Sequence, residues 1–389
     1  MKRTFSLMFV FLVLSWPAYN KGQKSESKAR VEHINGVEYI HNPGTPLHPE
    51  KIVTFVEDLS ISGEEKGENV ILFNPRLALV DDNENIYFVE NQDQVIKVFD
   101  SSGKYLRTIG AKGRGPGEFQ TITYLASKNG KLVVMDQNTR RTSLFDLSGR
   151  FIKSSQWRTG YLRLILAKDT SLIVSETVDS EDNRSRQLYV KEVDFQGHET
   201  LIQGEFTAPE LKPLRQGKYT IYFPLPVETD SLFAGDQNNN RFYYCMSNRY
   251  VIDVYNASGK LFRKIERSSY KPVPFTDKDA EEYRASVRNS GNEYIDRAVR
   301  EMEMPKIKNI IERMIIDDEG KLWVQTNEKK AEANRSLTAF DIFDQHGLYF
   351  ARVWIGIIPS IFKKGKMYRM DTDQDTGYRS LKRYKVMWK

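Results

Sequence analysis

Residues 96–119 read IKVFDSSGKYLRTIGAKGRGPGEF. The first half is strand, tight turn, strand: apolar residues alternate on both sides of Asp100-Ser101-Ser102-Gly103, where the glycine is free to take positive φ. The second half sets Gly110, Gly113, Gly115 and Gly117 around Pro116, with Lys112 and Arg114 between them. That composition invites a phosphate-binding reading, which fails on detail. A phosphate loop passes from its glycines into Lys and then Ser or Thr at a helix start. Here Gly117 is followed by Glu118 and Phe119, Pro116 removes a backbone donor, and EFQTITYLAS continues as a strand. The loop is expected to be an elbow between two pieces of sheet, with Phe119 as a plug.

The Asp/Asn-x-x-Gly turn recurs in VFDSSGKYL (98–106), LFDLSGRFI (144–152), EVDFQGHET (192–200), VYNASGKLF (254–262) and IFDQHGLYF (342–350). Upstream of each lies a second recurring element: DDNENIYFVE (81–90), SKNGKLVVMD (127–136), AKDTSLIVSE (167–176), ETDSLFAGD (228–236) and DDEGKLWVQT (317–326), with FKKGKMYRMD (362–371) as a sixth copy. Gly103 and Gly149 are 46 residues apart, and Gly197 and Gly259 follow at 48 and 62. A period of this length carrying four short strands marks a propeller blade.

The stretch 96–119 resembles the NHL repeat. The chain from about residue 50 to 389 resembles the bacterial secreted 6-bladed beta-propeller family, with MIIDDEGKLWVQT and the terminal RSLKRYKVMWK fitting as well. The resemblance implies an all-β fold, a six-bladed β-propeller of four-stranded antiparallel blades. It says little about chemistry, because propellers host binding proteins, lyases and lactonases alike. The sixth unit ends without an outer strand, and KIVTFVEDLSI (51–61) is an orphan strand suited to latch the ring. Residues 1–21 are then a leader, 22–50 a tether with a hairpin about Asn35-Gly36, and 51–389 the propeller. Residues 276–304 break the pattern as a helical insertion between blades four and five. Thr276 caps its start, Tyr294, Ile295, Ala298, Val299 and Met302 form an apolar stripe, and Pro305 stops it. A cover over the blade edge is the plainer reading; a lid or docking element is the other.

Lys2 and Arg3 precede an apolar run from Phe5 to Trp16, too short for a span and suited to a secretory signal. Export to the periplasm or beyond follows, with an uncleaved anchor as the alternative because Tyr19 and Asn20 are poor cleavage neighbours. No later stretch is long and apolar enough to span a bilayer. Without Lys2 and Arg3 the formal charge of +6 falls by two to +4, which does not call for nucleic acid. The one cysteine, Cys245, cannot form an internal disulfide and reads as a small buried residue rather than a reactive thiol.

The five histidines, His33, His41, His48, His198 and His346, show no metal-ligand spacing, and no Gly-x-Ser-x-Gly elbow is present. Asp371, Asp373 and Asp375 alternate as in a calcium loop, but Gly377 falls one place late and Lys382 stands where a bidentate Glu belongs. An acidic solvated turn is preferred there, and no cofactor is called for. The remaining signal is positional. Arg114, Arg140, Arg141, Arg184, Arg186, Arg241, Arg249 and Arg335 are assigned to loops of one propeller face, which suits an anionic ligand; ordinary solvated charge is the competing reading. The functional expectation is an exported, monomeric, non-enzymatic binding or scaffold propeller for a protein, peptide or anionic glycan. The alternative is a metal-dependent propeller enzyme of lyase or lactonase type. That chemistry needs convergent Asp, Asn, Glu or His at the inner ends of several strands, and the stretches read as inner starts (FNPRLAL, TITYLAS, GYLRLIL, TIYFPLP, KNIIERM) offer Asn74 and Asn309 but no carboxylate before Glu312.

Overall fold

Six antiparallel sheets carry the chain from Pro75 to Trp388, and their innermost strands neighbour one another in sequence order. Blade one runs from the inner strand Pro75–Val80 to the outer strand Tyr105–Ile109, blade two from Ile122–Lys128 to Phe151–Gln156, and blade three from Leu162–Ala167 to Glu199–Thr207. Blade four runs from Ser231–Asp236 to Leu261–Glu266 and blade five from Ile311–Ile316 to Tyr349–Ile355. Blade six begins at Ile361–Lys363, which returns against Pro75–Val80 and closes the ring. This computed structural model describes residues 28–389 apart from 63–71, 73, 158–161, 180–185, 208–211, 217–218, 224–229, 289–295, 297–298, 301, 333–334, 374 and 376. The expected leader, residues 1–21, lies outside the described residues. Among the described residues no helix is long and apolar enough to cross a membrane.

The repeated turn has one local cause. The Asp100 carboxylate accepts the backbone N–H groups of Ser102 and Lys104 at 2.8 and 3.0 Å, and Gly103 takes φ +89°. Asp146, Asp194, Asn256 and Asp344 accept from the residues two and four places on in the same way. Each side chain thus satisfies donors that a tight turn would leave unpaired.

The apolar core is divided among the crevices between neighbouring blades. Phe119 and Phe145 pack between blades one and two with ring centroids 5.8 Å apart, Trp157 is buried between two and three, and Phe206 meets Tyr244 between three and four. Tyr243 and Tyr349 belong to the cluster between four and five, Trp323 and Tyr384 to that between five and six, and Phe88 and Tyr368 to that between six and one. Cys245 sits buried in the cluster between blades four and five, and burial pushes its thiol well above the ordinary range. A thiol held protonated is an inert packing residue.

Closure follows the expected latch. Val53–Ser62 pairs antiparallel with Arg379–Trp388 as the outer strand of blade six, Val53 opposite Trp388. The hairpin also forms, Arg30–Ile34 against Val37–His41, with Asn35 and Gly36 both at positive φ. It does not hang free: Val37–His41 adds in parallel to Leu261–Glu266 and makes blade four six-stranded. Between hairpin and latch the chain crosses blade five, where Asn42 Nδ2 donates to Gly347 O at 3.0 Å and Asn42 Oδ1 accepts from Tyr349 N at 2.8 Å. Leu47 N and His48 N donate to the carbonyls of Tyr349 and Phe350. The N-terminal segment therefore stitches blades four, five and six.

One expectation needs correction. TIYFPLP is not the inner strand of blade four. Tyr219–Phe223 belongs to a separate hairpin with Lys212–Gln216, and the inner strand is Ser231–Asp236. The extra hairpin accounts for the 62-residue spacing, and the strand read there as the second is the first. The helical insertion between blades four and five is present, and its first helix is Asp277–Arg288. Asp279 Oδ2 accepts from the Thr276 N–H and hydroxyl at 2.8 and 2.7 Å, while Asp279 N donates to Thr276 Oγ1 at 3.3 Å. Val299 and Met302 are buried with Tyr283, Val287 and Met304; Tyr294, Ile295 and Ala298 lie outside the described residues.

Candidate functional site

In each blade the turn between the second and third strands and the crossing to the next blade share one face, and the other turns share the opposite one. The glycine-rich loop is the crossing from blade one to blade two. Its short segments Ala111–Lys112 and Glu118–Phe119 pair in parallel. Gly115 N donates to the Glu118 carboxylate at 2.8 Å, so the concavity that could face a phosphate holds the loop's own anion. Arg141 clamps the loop, its Nη1 donating to Arg114 O at 3.0 Å and its Nη2 to Glu118 O at 2.7 Å.

Of the arginines read from sequence, Arg114 lies in that crossing, Arg140 in the second turn of blade two, and Arg141 at the start of the strand that follows. Arg249 occupies the same turn in blade four and Arg335 opens the third strand of blade five; all of these except Arg141 are exposed. Arg186 opens the third strand of blade three, and Arg184 lies outside the described residues. The placement of Arg241 is corrected by the strand shift in blade four. It follows the first strand, not the second, and so belongs to the opposite face. There it is buried, its Nε donating to Asp236 Oδ2 at 2.8 Å and its Nη1 to Gln345 O at 3.1 Å. It is a structural ion pair.

The structure gathers other arginines instead. Arg76 and Arg163 come from the inner strands of blades one and three, and Tyr124 from that of blade two between them. With Asn91 and Gln137 they line a cavity of about 390 Å³. Arg76 is held rigidly by Nη1 to Thr123 O and Nη2 to Ile122 O, both at 2.9 Å. These are neutral partners. Burial pushes its guanidinium below the ordinary value, and the lining includes no carboxylate to oppose that. Burial raises the Tyr124 phenol, and the charges of Arg163 and then Arg76 act against it. The Arg163 side chain is exposed and makes no hydrogen bond or ion pair among the described residues. Among the described residues, two guanidinium groups, a phenol and two amides thus stand together without an acid. Sequence reading passed over them because NPRLAL, TITYLAS and GYLRLIL were searched for metal-ligating Asp, Asn, Glu or His and not for cations, although the arginines were in view.

At the opposite end, the first turns of the blades bring Asp81, Asp236 and Asp317 around a cavity of about 270 Å³. Their carboxylates are occupied within their own blades. Asp81 accepts from Tyr87 Oη at 3.0 Å, Asp317 from Trp323 Nε1 at 2.9 Å, and Asp236 from Arg241. The acidic run weighed against a calcium loop begins in the strand Lys366–Thr372, which holds Asp371, and passes into the turn after it. Asp371 lies within 3.3 Å of Arg369 Nη2 and 3.8 Å of Lys382 Nζ, and Asp373 Oδ1 accepts from Asp375 N at 3.0 Å. Among the described residues no three His, Cys, Asp or Glu side chains stand together as metal ligands would.

Residues 72–213 match the family described as 6-bladed beta-propeller. The chain is a six-bladed β-propeller. The propeller is similar to a solved structure from Bacteroides vulgatus, a member of the DUF4221 family, at 12% identity and TM-score 0.52, covering 86% of this chain and 98% of that one. It is also similar to a Bacteroides fragilis protein named "Putative exported protein", at 12% identity and TM-score 0.50, covering 90% and 98%. At that identity the likeness shows the fold alone. No curated protein matches the sequence.

Proposed function

We propose that this propeller is an exported, non-enzymatic binding protein that captures a carboxylate- or sulfate-bearing ligand, such as an acidic glycan or peptide, at the inner rim of its crossing face. The observation that carries the reading is the pair Arg76 and Arg163: one guanidinium fixed by main-chain carbonyls, the other without a partner among the described residues, in a cavity whose described lining holds no carboxylate. A planar donor fork held in advance recognises an oxyanion at little entropic cost. The lining residues, Arg, Asn, Gln, Tyr, Thr and Ile, supply donors and no group that exchanges a proton near neutral pH, which suits binding rather than turnover. The charged n-region and apolar run before residue 21 support export.

Titration calorimetry of the purified chain with oligogalacturonate tests this. Binding should weaken as salt rises, and Arg163→Ala should weaken it about tenfold, as loss of a charge-assisted hydrogen bond does. Affinity unchanged by Arg163→Ala, or no binding by oligogalacturonate or by an oligo-glutamate peptide, would remove the site.

A further inference from the structure

On the crossing face, one bulky side chain closes each of three crevices between blades. Phe119 seals blades one and two and is fully buried. Where the outer strand of blade two ends, Trp157 is buried over the crevice to blade three. Where that of blade four ends, Arg267 fills the crevice to blade five, stacked 4.3 Å from the Tyr349 ring. Blade five leaves its outer strand through Ile355-Gly356-Ile357, with Gly356 exposed. The crevice between blades five and six stays open there, as a cavity of about 660 Å³.

Its walls divide by chemistry. Phe55, Leu337, Ile355, Ile357 and Tyr384 give apolar surface; Ile355 and Tyr384 belong to the apolar cluster between these blades, and Phe55 and Ile357 to its margin. Arg335, Arg369 and Lys382 bring three cations against the single carboxylate of Asp371. Asp371 is shared by Arg369 and Lys382, and Lys382 also lies 3.4 Å from Glu57. Arg335 is exposed and makes no hydrogen bond or ion pair among the described residues. The cavity lies within the ~300–1,000 Å³ of small-molecule sites.

We infer that this crevice binds an amphiphilic carboxylate, a medium-chain fatty acid, with its chain between blades five and six and its carboxylate on Arg335. The apolar walls contribute by removing hydrocarbon from water. The cationic excess selects an acid over a neutral chain of equal length. A peptide is disfavoured because the apolar walls would leave its backbone groups unpaired. This site is separate from the Arg76–Arg163 rim and does not depend on it.

Decanoate and decanol, each titrated calorimetrically into the full chain, test the inference. Decanoate should bind, and decanol about tenfold more weakly for want of the charge-assisted contact. Arg335→Ala should bring decanoate down to the decanol level and leave decanol unchanged; this exposed side chain has no structural partner to lose. Leu337→Trp should weaken both ligands by filling the space, with its melt checked against the parent. Arg163→Ala should alter neither, which separates this crevice from the rim pocket. Absence of decanoate binding, or binding that survives Arg335→Ala undiminished, overturns the proposal.

Discussion

Arg267 and Asp341 form an ion pair sealed between blades four and five, the arginine 4% and the aspartate 0% exposed at the side chain. Two phenols complete the carboxylate: Tyr250 Oη donates to Oδ2 and Tyr349 Oη to Oδ1, each at 2.7 Å. Arg267 Nη2 also donates to Gly44 O at 3.2 Å, so the pair fastens the N-terminal segment to the ring. Removing one member of such a pair strands the other charge in a dry crevice. Asp341→Ala is expected to cost about 3–5 kcal/mol, whereas an apolar replacement of both residues should cost far less. Urea unfolding of the single and double variants measures this; an Asp341→Ala chain as stable as the parent would mean that water reaches the pair.

The latch strand carries the second prediction. Deleting residues 53–62 leaves the Arg379–Trp388 strand with a bare edge and uncovers the apolar margin that includes Phe55. The truncated chain should aggregate or lose its cooperative melt. A melt unchanged by the deletion would show that the hairpin on blade four and the crossing of blade five suffice to hold the ring.

The blade count, the latch, the elbow and the buried Cys245 were legible because each rests on a local signal: a capped turn, an alternating strand, a run of glycines. Blade four was misread by one strand because residues 212–223 insert a hairpin with strand-like alternation of its own, and the Arg241 placement failed with it. The docking of the N-terminal hairpin was not legible, since Val37–His41 meets Leu261–Glu266 across more than two hundred residues. The rim pocket was half legible. Arg76 and Arg163 lie in recognised strands, but only closure of the ring sets them beside Tyr124.

The glycine-rich elbow gives a third prediction. Gly117 holds φ +77°, and a β-carbon there would meet Phe145 and Phe151 at 3.7 and 3.6 Å, which is ordinary contact. The cost of Gly117→Val is therefore mainly conformational, about 1–2 kcal/mol. At Gly110, with φ +80°, a β-carbon would collide with the Phe119 ring, so Gly110→Ala should lose more by unseating the plug. Lys112 reaches only Gln92 O at 3.3 Å from an exposed position, and Lys112→Ala should leave the melt unchanged. Equal melts for all three variants would show that the loop has no fixed conformation to lose.

The repeated turns predict how stability responds to acid. The Ser148 hydroxyl, then the Arg150 backbone N–H, lower the Asp146 carboxyl to about 2, and the Ser102 hydroxyl lowers Asp100 in the same manner. A carboxyl depressed in the folded chain stabilises it above the ordinary carboxyl pKa of about 4, and that contribution fades as pH falls towards the folded value. Blade four supplies an internal control. Asn256 accepts from Ser258 N at 3.0 Å and Lys260 N at 2.9 Å in the same geometry with no proton to gain. Asp146→Asn should keep the turn, since an amide oxygen already serves there in blade four. At pH 6 the variant should melt slightly below the parent, because it loses the 3.1 Å contact of Asp146 with Arg150 Nε. Between pH 5 and pH 2 the parent should lose more melting temperature than the variant, so that the two curves converge. Parallel curves over that range would show that the carboxylate is no better held in the folded turn than in the unfolded chain.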